Sequence, residues 1–125
     1  MAALVFDKCD EEVLRDVFQR KMVKDWSRFR SCMVKILDSY YFKELPKAEL
    51  ERQLKTAVVR EDSIRSMQDM SDMMEREQNI DMPENELQWK VWLVPDFSAT
   101  QSVLVWKSHH VIGDGIGVLL LLSTL

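Results

Sequence analysis

Two adjacent histidines, an aspartate and three glycines form a short segment that could carry out proton-transfer chemistry. His109 and His110 are the only histidines of the 125-residue chain, and all three glycines fall within the next seven residues. Histidine is the side chain whose ordinary pKa lets it exchange protons near neutral pH. Glycine allows a tight turn or a close approach of the backbone to another group. The segment 109–117 is therefore the first candidate for a reactive site.

This segment fits general-base catalysis better than three other chemistries. Successive strand side chains point to opposite faces, so His109 and His110 cannot both reach one zinc ion, and no third ligand lies at metal spacing. A dinucleotide-binding loop spaces its glycines differently, and Asp114 would place a carboxylate beside the pyrophosphate. No nearby serine or cysteine has the arrangement of an activated nucleophile. A neutral imidazole at a strand end can take the proton of an alcohol or amine as that group attacks an acyl carbonyl.

The histidines follow two predicted strands that would hold them in place. Residues 88–94 and 102–108 alternate with a period of two, and Pro95-Asp96 begins a turn between them. This pattern predicts an antiparallel hairpin at 88–108. Both strands are apolar on both faces, which is typical of a sheet covered on each side. A helix is predicted to follow from about Asp114 or Gly115.

Periodicity upstream predicts further helices and strands of an α/β domain with a mixed sheet. A strand at 4–6 precedes a helix that is capped by Asp10, and residues 40–42 are expected to continue the sheet begun by a strand at 31–37. A second helix opens at Pro46 and runs to about Val59, and a third covers residues 62–78. One buried face is predicted in the first helix, formed by Val13, Leu14, Val17, Phe18 and Met22. Cys32, Val34 and Ile36 lie on one side of the predicted strand, and the third helix carries an apolar stripe at Ile64, Met67, Met70 and Met74.

The methionine stripe of the third helix and a basic cluster each leave two interpretations open. Methionine is flexible and polarizable, so the stripe could line a site for acyl chains, or it could be an ordinary core face. The cluster contains Arg20, Lys21, Lys24, Arg28, Arg30 and Lys35. It could meet phosphates or an anionic lipid surface, or it could be a solvated helix end.

Composition excludes several classes of protein. The chain is 46% hydrophobic and 30% charged, which indicates one globular domain. Its net charge of −4, with no interleaving of aromatic and basic residues, argues against nucleic-acid binding. Cys9 and Cys32 have neither metal nor redox spacing, which fits a reduced, intracellular protein. An apolar run at 116–122 reaches the end of the sequence without a helix cap, so we expect an incomplete domain.

His109-His110-x-x-x-Asp114-Gly115 resembles the HHxxxDG signature of the acyltransferase superfamily with the chloramphenicol-acetyltransferase-like fold. That superfamily includes wax ester synthase/diacylglycerol acyltransferases and the condensation domains of peptide synthetases. The flanking segments 88–94 and 103–110 look like the wax ester synthase branch. The sequence departs from that branch because Pro83 lies six residues before Trp89 rather than directly before it, and because residues 61–86 form an acidic insertion.

The resemblance implies a role for each motif residue. His110 would be the general base, His109 a neighbour that shapes the site, and Asp114 mainly structural, with Gly113 and Gly115 forming the turn. Residues 1–125 would be an incomplete N-terminal acyltransferase subdomain, and the missing second subdomain would supply the other wall of an active-site tunnel. Acyl-CoA would be a co-substrate, and no bound cofactor or metal is implied.

Three functions follow as hypotheses. The first is an O-acyltransferase portion that moves a fatty acyl group from acyl-CoA to a long-chain alcohol or diacylglycerol, and the fragment alone is expected to be inactive. The second is a non-catalytic half-domain that binds acyl ligands or a partner protein. The third is amide formation of the condensation-domain type. The expected location is the cytoplasm or the surface of a membrane, the endoplasmic reticulum in a eukaryote.

Overall fold

The computed structural model describes residues 1–17, 23–24 and 27–109 of the chain. Strands and helices are mixed along this part of the chain, which confirms the α/β fold predicted from periodicity. The elements in chain order are β1 (Ala2–Asp7), α1 (Glu11–Val17), a 3₁₀ helix (Ser27–Arg30), β2 (Ser31–Ile36), β3 (Ser39–Glu44), α2 (Lys47–Ala57), β4 (Val58–Arg60), α3 (Met67–Glu77), β5 (Trp89–Val94) and β6 (Gln101–Ser108).

Four strands form a mixed sheet in the order β1-β6-β5-β4. Strands β5 and β6 are antiparallel, with Val91 opposite Trp106, and this confirms the hairpin predicted at 88–108. Strand β1 extends the predicted strand at 4–6 and pairs antiparallel with the other edge of β6. The strand β4 adds to β5 in parallel. Strand β6 is therefore held by hydrogen bonds on both edges.

The two faces of this sheet bury two separate cores. One face carries Trp89, Val91, Leu93, Leu104 and Trp106, and Leu50 and Leu54 of α2 pack against it. The other face carries residues from the alternate positions of the same strands, and α3 covers it with Met70 and Met73. Each face buries the apolar surface that the period-two pattern placed on it, so the prediction of a sheet covered on both sides is confirmed.

Helix α2 is shorter than predicted because its last apolar residues form a strand. Pro46, whose ring fixes φ, directly precedes the first helical residue, and the helix ends at Ala57. Val58–Arg60 is extended and pairs with β5, and Val58 is fully buried. The predicted end at Val59 was wrong, since a β-branched pair gains more from the sheet than from another helical turn.

Helix α3 begins five residues later than predicted. The Ser66 side chain accepts a hydrogen bond from the Asp69 backbone N–H and so caps the helix. Ile64 is buried before the helix begins, whereas Met67 is 63% exposed. As a prediction of the core face, the apolar stripe was wrong to include Met67, and it left out Met73.

The β2–β3 pair forms a two-stranded sheet of its own rather than a continuation of the main sheet. Cys32 and Ile36 lie on one side of β2 as predicted, and Cys32 is buried whereas Ile36, near the tip of the hairpin, is 57% exposed. In α1, the prediction that Val13 is buried was wrong, whereas Leu14 packs against the first core. Phe18 and Met22 lie outside the described residues.

Candidate active site

The end of β6 places the first histidine of the motif. The His109 backbone N–H donates a hydrogen bond of 2.9 Å to the carbonyl oxygen of Gln88, which extends the β5–β6 register by one residue beyond the strand. The side chain of His109 is half-buried. Strand β6 is paired with β1 as far as Trp106 and with β5 as far as Ser108, so the β5 ladder fixes the backbone that leads directly into the motif.

An aromatic cluster supports this end of the hairpin from one face. The Trp89 and Trp106 rings stack with centroids 5.6 Å apart and planes 7° from parallel. Phe29 meets both rings edge-on, and its carbonyl accepts a 2.9 Å hydrogen bond from the Trp89 indole Nε1–H. Trp89 is paired with Ser108, the residue before His109. These contacts therefore fix the base of the motif.

Lysines hold the other face of the same hairpin end. Lys107 donates to the carbonyl oxygens of Glu77, at 2.6 Å, and Ile80, and so binds the carboxyl end of α3. A cation there is favoured by the helix dipole. Lys90 lies directly opposite Lys107, and its ammonium sits 4.9 Å from the centre of the Trp92 ring. The helix carbonyls and the indole offset the repulsion between these two like charges.

Two glutamines fix the segment that enters β5. The Gln53 amide accepts a hydrogen bond from the Leu87 backbone N–H and donates to the Asn85 carbonyl. Gln88 is fully buried and donates to the carbonyls of Pro83 and Glu86. Within the described part of the chain, the Gln88 side-chain oxygen accepts no hydrogen bond. The sequence analysis missed both glutamines. Only the β5–β6 register places Gln88 opposite His109, and only the packing of α2 brings Gln53 to Leu87.

A cavity of about 230 Å³ opens beside this end of the hairpin. Trp89, Lys90 and Lys107 contribute to its wall, together with the end of α2 and the segment between α3 and β5. Pockets for drug-sized ligands occupy roughly 300–1,000 Å³, so the cavity alone is too small for a long acyl substrate.

A network of ion pairs lies at the opposite end of the sheet. Arg60 donates to Glu11 at 3.0 Å, to Asp62 at 2.8 Å and to Asp96 at 2.6 Å. Hydrogen bonds from Arg15 and then from Arg60 lower the pKa of Glu11, and the Lys8 ammonium lowers that of Asp96. This network joins α1, β4 and the β5–β6 turn, so its role is structural.

The remaining predicted site residues, His110, Gly113, Asp114 and Gly115, lie outside the described residues, as does the helix predicted to follow them. Among the residues that are described, no group of three or more side chains could hold a metal ion. No helix in the same ranges is long and apolar enough to cross a membrane.

Comparison with known proteins gives structural matches only. No family model matches the sequence, and no curated protein is significantly similar to it. The SgcC5 protein from Streptomyces globisporus superimposes with a TM-score of 0.70 at 17% identity, over 97% of this chain and 28% of that protein. A starter condensation domain of rhizomide synthetase gives 0.68 at 13%, over 96% and 28%. Wax ester synthase/diacylglycerol acyltransferase from Marinobacter aquaeolei VT8 gives 0.66 at 16%, over 94% and 30%.

These matches establish the fold. The chain has the same mixed α/β arrangement as part of each of these proteins, and the match covers nearly all of its length. The chain spans less than a third of each of these three proteins. At such low identity the likeness speaks for architecture and not for reaction.

Proposed function

We propose that this chain is the N-terminal portion of an acyltransferase in which His110 is the general base. The observation that carries the proposal is the position of the HHxxxDG motif in this fold. The motif starts where an interior strand ends, and that strand is clamped between β1 and β5 and supported by the Trp89–Trp106 stack. A base that takes a proton during attack needs a backbone held in this way.

The proposed reaction is direct transfer without a covalent acyl-enzyme. The acceptor oxygen attacks the thioester carbonyl of acyl-CoA while the imidazole of His110 takes the hydroxyl proton. The tetrahedral intermediate then collapses, the carbon–sulfur bond breaks, and the thiolate of coenzyme A recovers that proton from the imidazolium. The products are an ester and free coenzyme A, and no other reactant is needed.

The other motif residues would act around the base. If the alternation of β6 continues past Ser108, His109 and His110 face opposite sides of the sheet, so only one of them reaches the substrate. Asp114 would hold the turn, through a helix cap or an arginine, and Gly113 and Gly115 would let the backbone pass close to the substrate. The small cavity beside Lys107 agrees with a site whose other wall comes from further chain.

The proposed substrates are acyl-CoA and a long-chain alcohol or diacylglycerol, because segments 88–94 and 103–110 resemble wax ester synthases. A condensation reaction that forms an amide on a carrier protein is the second candidate, since condensation domains are among the structures that match. A non-catalytic half-domain that only binds acyl ligands or a partner protein is the third.

Product analysis separates these candidates. The complete gene product is incubated with palmitoyl-CoA and either hexadecanol, diacylglycerol or an aminoacyl carrier protein, with the 125-residue chain in parallel. Ester formed by the complete product but not by the chain alone supports the proposal. Amide formed only with the carrier protein would replace it with the condensation reaction, and acyl-CoA binding without any product would leave only the binding half-domain.

A further inference from the structure

A projecting hairpin gathers much of the exposed apolar surface of the described chain. Five of its ten exposed large hydrophobic side chains fall within residues 36–42, at the tip of β2–β3. They are Ile36, Leu37, Tyr40, Tyr41 and Phe42. Scattered single apolar residues on a surface need no explanation, but such a cluster at one tip marks a site of interaction.

The base of this hairpin is fixed to the body of the protein. Cys32 and Met33 are buried, and Cys32 forms a β-bridge with Leu87. The Asn85 backbone N–H donates to the Met33 carbonyl at 3.1 Å. Along β3 all six residues are exposed, and on β2 exposure begins at Lys35, close to the turn. The tip is therefore carried on a firm support and stands clear of both cores.

Leu37 is the most anomalous residue of the tip. It is 91% exposed and occupies the first position of the two-residue turn, with φ at 57°. A left-handed backbone at this turn position favours glycine and is unfavourable for a residue with a branched side chain. A leucine at this position therefore gains nothing from burial within the protein, and its backbone conformation is unfavourable. Transfer of its side chain into an apolar phase outside the protein would account for a leucine here.

The apolar side chains lie on both faces of the hairpin. The register places Lys35 opposite Tyr40 and Met33 opposite Phe42 on one face, whereas Ile36 and Tyr41 belong to the alternate face. A protein partner with a flat surface covers one face of a two-stranded sheet. An apolar medium that surrounds the tip would receive both faces and the turn together.

Cations accompany the aromatic rings. The Arg28 guanidinium lies 5.4 Å from the centre of the Phe42 ring, and the Lys35 ammonium lies 5.7 Å from that of Tyr40. Tyrosine favours the boundary between water and hydrocarbon, and lysine and arginine near that boundary bind anionic headgroups. Residues 35–43 contain two lysines and one acidic residue, Asp38 in the turn, and Arg28 adds a third cation. The positive charges thus outnumber the negative one, which suits a lipid surface with negative headgroups.

We propose that the β2–β3 tip inserts into the interface of an anionic phospholipid membrane, with Leu37 and Ile36 entering the acyl region. Arg28 and Lys35 would then bind headgroup phosphates at the level of the tyrosines. This docking does not depend on acyl transfer, and it can be tested with the 125-residue chain alone.

The decisive variant is Leu37→Gly, because folding and binding should respond in opposite directions. Glycine relieves the left-handed backbone, so the urea midpoint should stay the same or rise. The vesicles contain phosphatidylcholine and phosphatidylserine at roughly three to one. Loss of the leucine side chain that enters the acyl region should lower binding to them by about ten- to a hundredfold. Met67→Gln alters an apolar side chain exposed elsewhere, and it should leave vesicle binding unchanged.

Lys35→Gln tests the charge. It should weaken binding about fivefold on the anionic vesicles and hardly at all on pure phosphatidylcholine. The proposal is wrong if the chain does not cosediment with the anionic vesicles, or if Leu37→Gly binds them as well as the parent chain does. It is equally wrong if Leu37→Gly instead abolishes a dimer seen in sedimentation without lipid, since the tip would then dock on a second copy.

Discussion

The indole of Trp89 offers a quantitative test of how the motif end of the hairpin is held. Trp89 is 1% exposed, and its Nε1–H donates to the carbonyl of Phe29 in the 3₁₀ helix. Replacing it by phenylalanine keeps an aromatic ring against Trp106 and removes the donor. The substitution therefore removes the hydrogen bond that ties the 3₁₀ helix to β5, next to the residues that precede the histidines.

Two losses set the magnitude for Trp89→Phe. A buried carbonyl that loses its hydrogen-bond donor costs about 1–3 kcal/mol. The smaller ring leaves a void on the order of 40 Å³, which adds about 1 kcal/mol at roughly 24 cal/mol per Å³. We expect the free energy of unfolding to fall by about 2–4 kcal/mol in total, a large fraction of the 5–15 kcal/mol that is typical of a domain.

Trp92→Phe is the matched control for this experiment. Trp92 is 4% exposed on the opposite face of β5, and nothing in the described part of the chain is hydrogen-bonded to its indole. It keeps an aromatic ring beside the Lys90 ammonium, so it should lose mainly the void term, about 1 kcal/mol. Urea unfolding followed by far-ultraviolet circular dichroism measures both variants. Equal losses in the two would refute the reasoning, because the Trp89–Phe29 bond would then contribute nothing.

Two further predictions concern the core and the ion pairs. Met70→Ala should lower the free energy of unfolding by about 2–5 kcal/mol and Met67→Ala by far less, since only Met70 is buried; similar losses in urea unfolding would contradict the position of α3. The pKa of Glu11 is lowered by Arg15 and Arg60, so its contribution is present above its ordinary value near 4.5 and is lost as the pH falls through the folded value. The stability difference between the parent chain and Glu11→Gln should therefore shrink between pH 6 and pH 3 in urea titrations, and a constant difference would show that this carboxylate is not held by the arginines.

The central hairpin could be predicted from the sequence because its signal is local. Residues 88–94 and 102–108 are short runs with apolar side chains on both faces, and Pro95-Asp96 supplies the turn, so strand type, pairing and burial of both faces all follow from nearby residues. The strand β1 was also found, since its short apolar run has no helical competitor. Its pairing with β6, some hundred residues away, needed the structure.

The errors arise where tertiary contacts decide between local alternatives. Val58 and Val59 continue the apolar pattern of α2 and were assigned to it, but the open edge of β5 draws them into the sheet. Ser66 and Asp62 both precede an apolar run, and only the observed cap at Ser66 shows which one begins α3. Met67 is therefore the first residue of the helix and is exposed, whereas Met70 and Met73 follow on the same side and are buried.

For the candidate site, the sequence showed which residues could do chemistry, but not which side chains and backbone groups hold them in place. The histidine pair stands out because the chain holds no other histidine. The contacts of Gln88 with His109 and of Lys107 with α3 depend on the register and on the end of a helix, so no pattern in the sequence predicts them.

The most direct test of the central claim is acyl transfer by the complete gene product carrying His110→Ala. A general base contributes about 10²- to 10⁴-fold, so we predict a loss of that size in ester formation from acyl-CoA, with an unchanged circular dichroism spectrum. His109→Ala should cost less, and Asp114→Ala should mainly lower the unfolding temperature. Ester formation at the parent rate by His110→Ala would contradict the account.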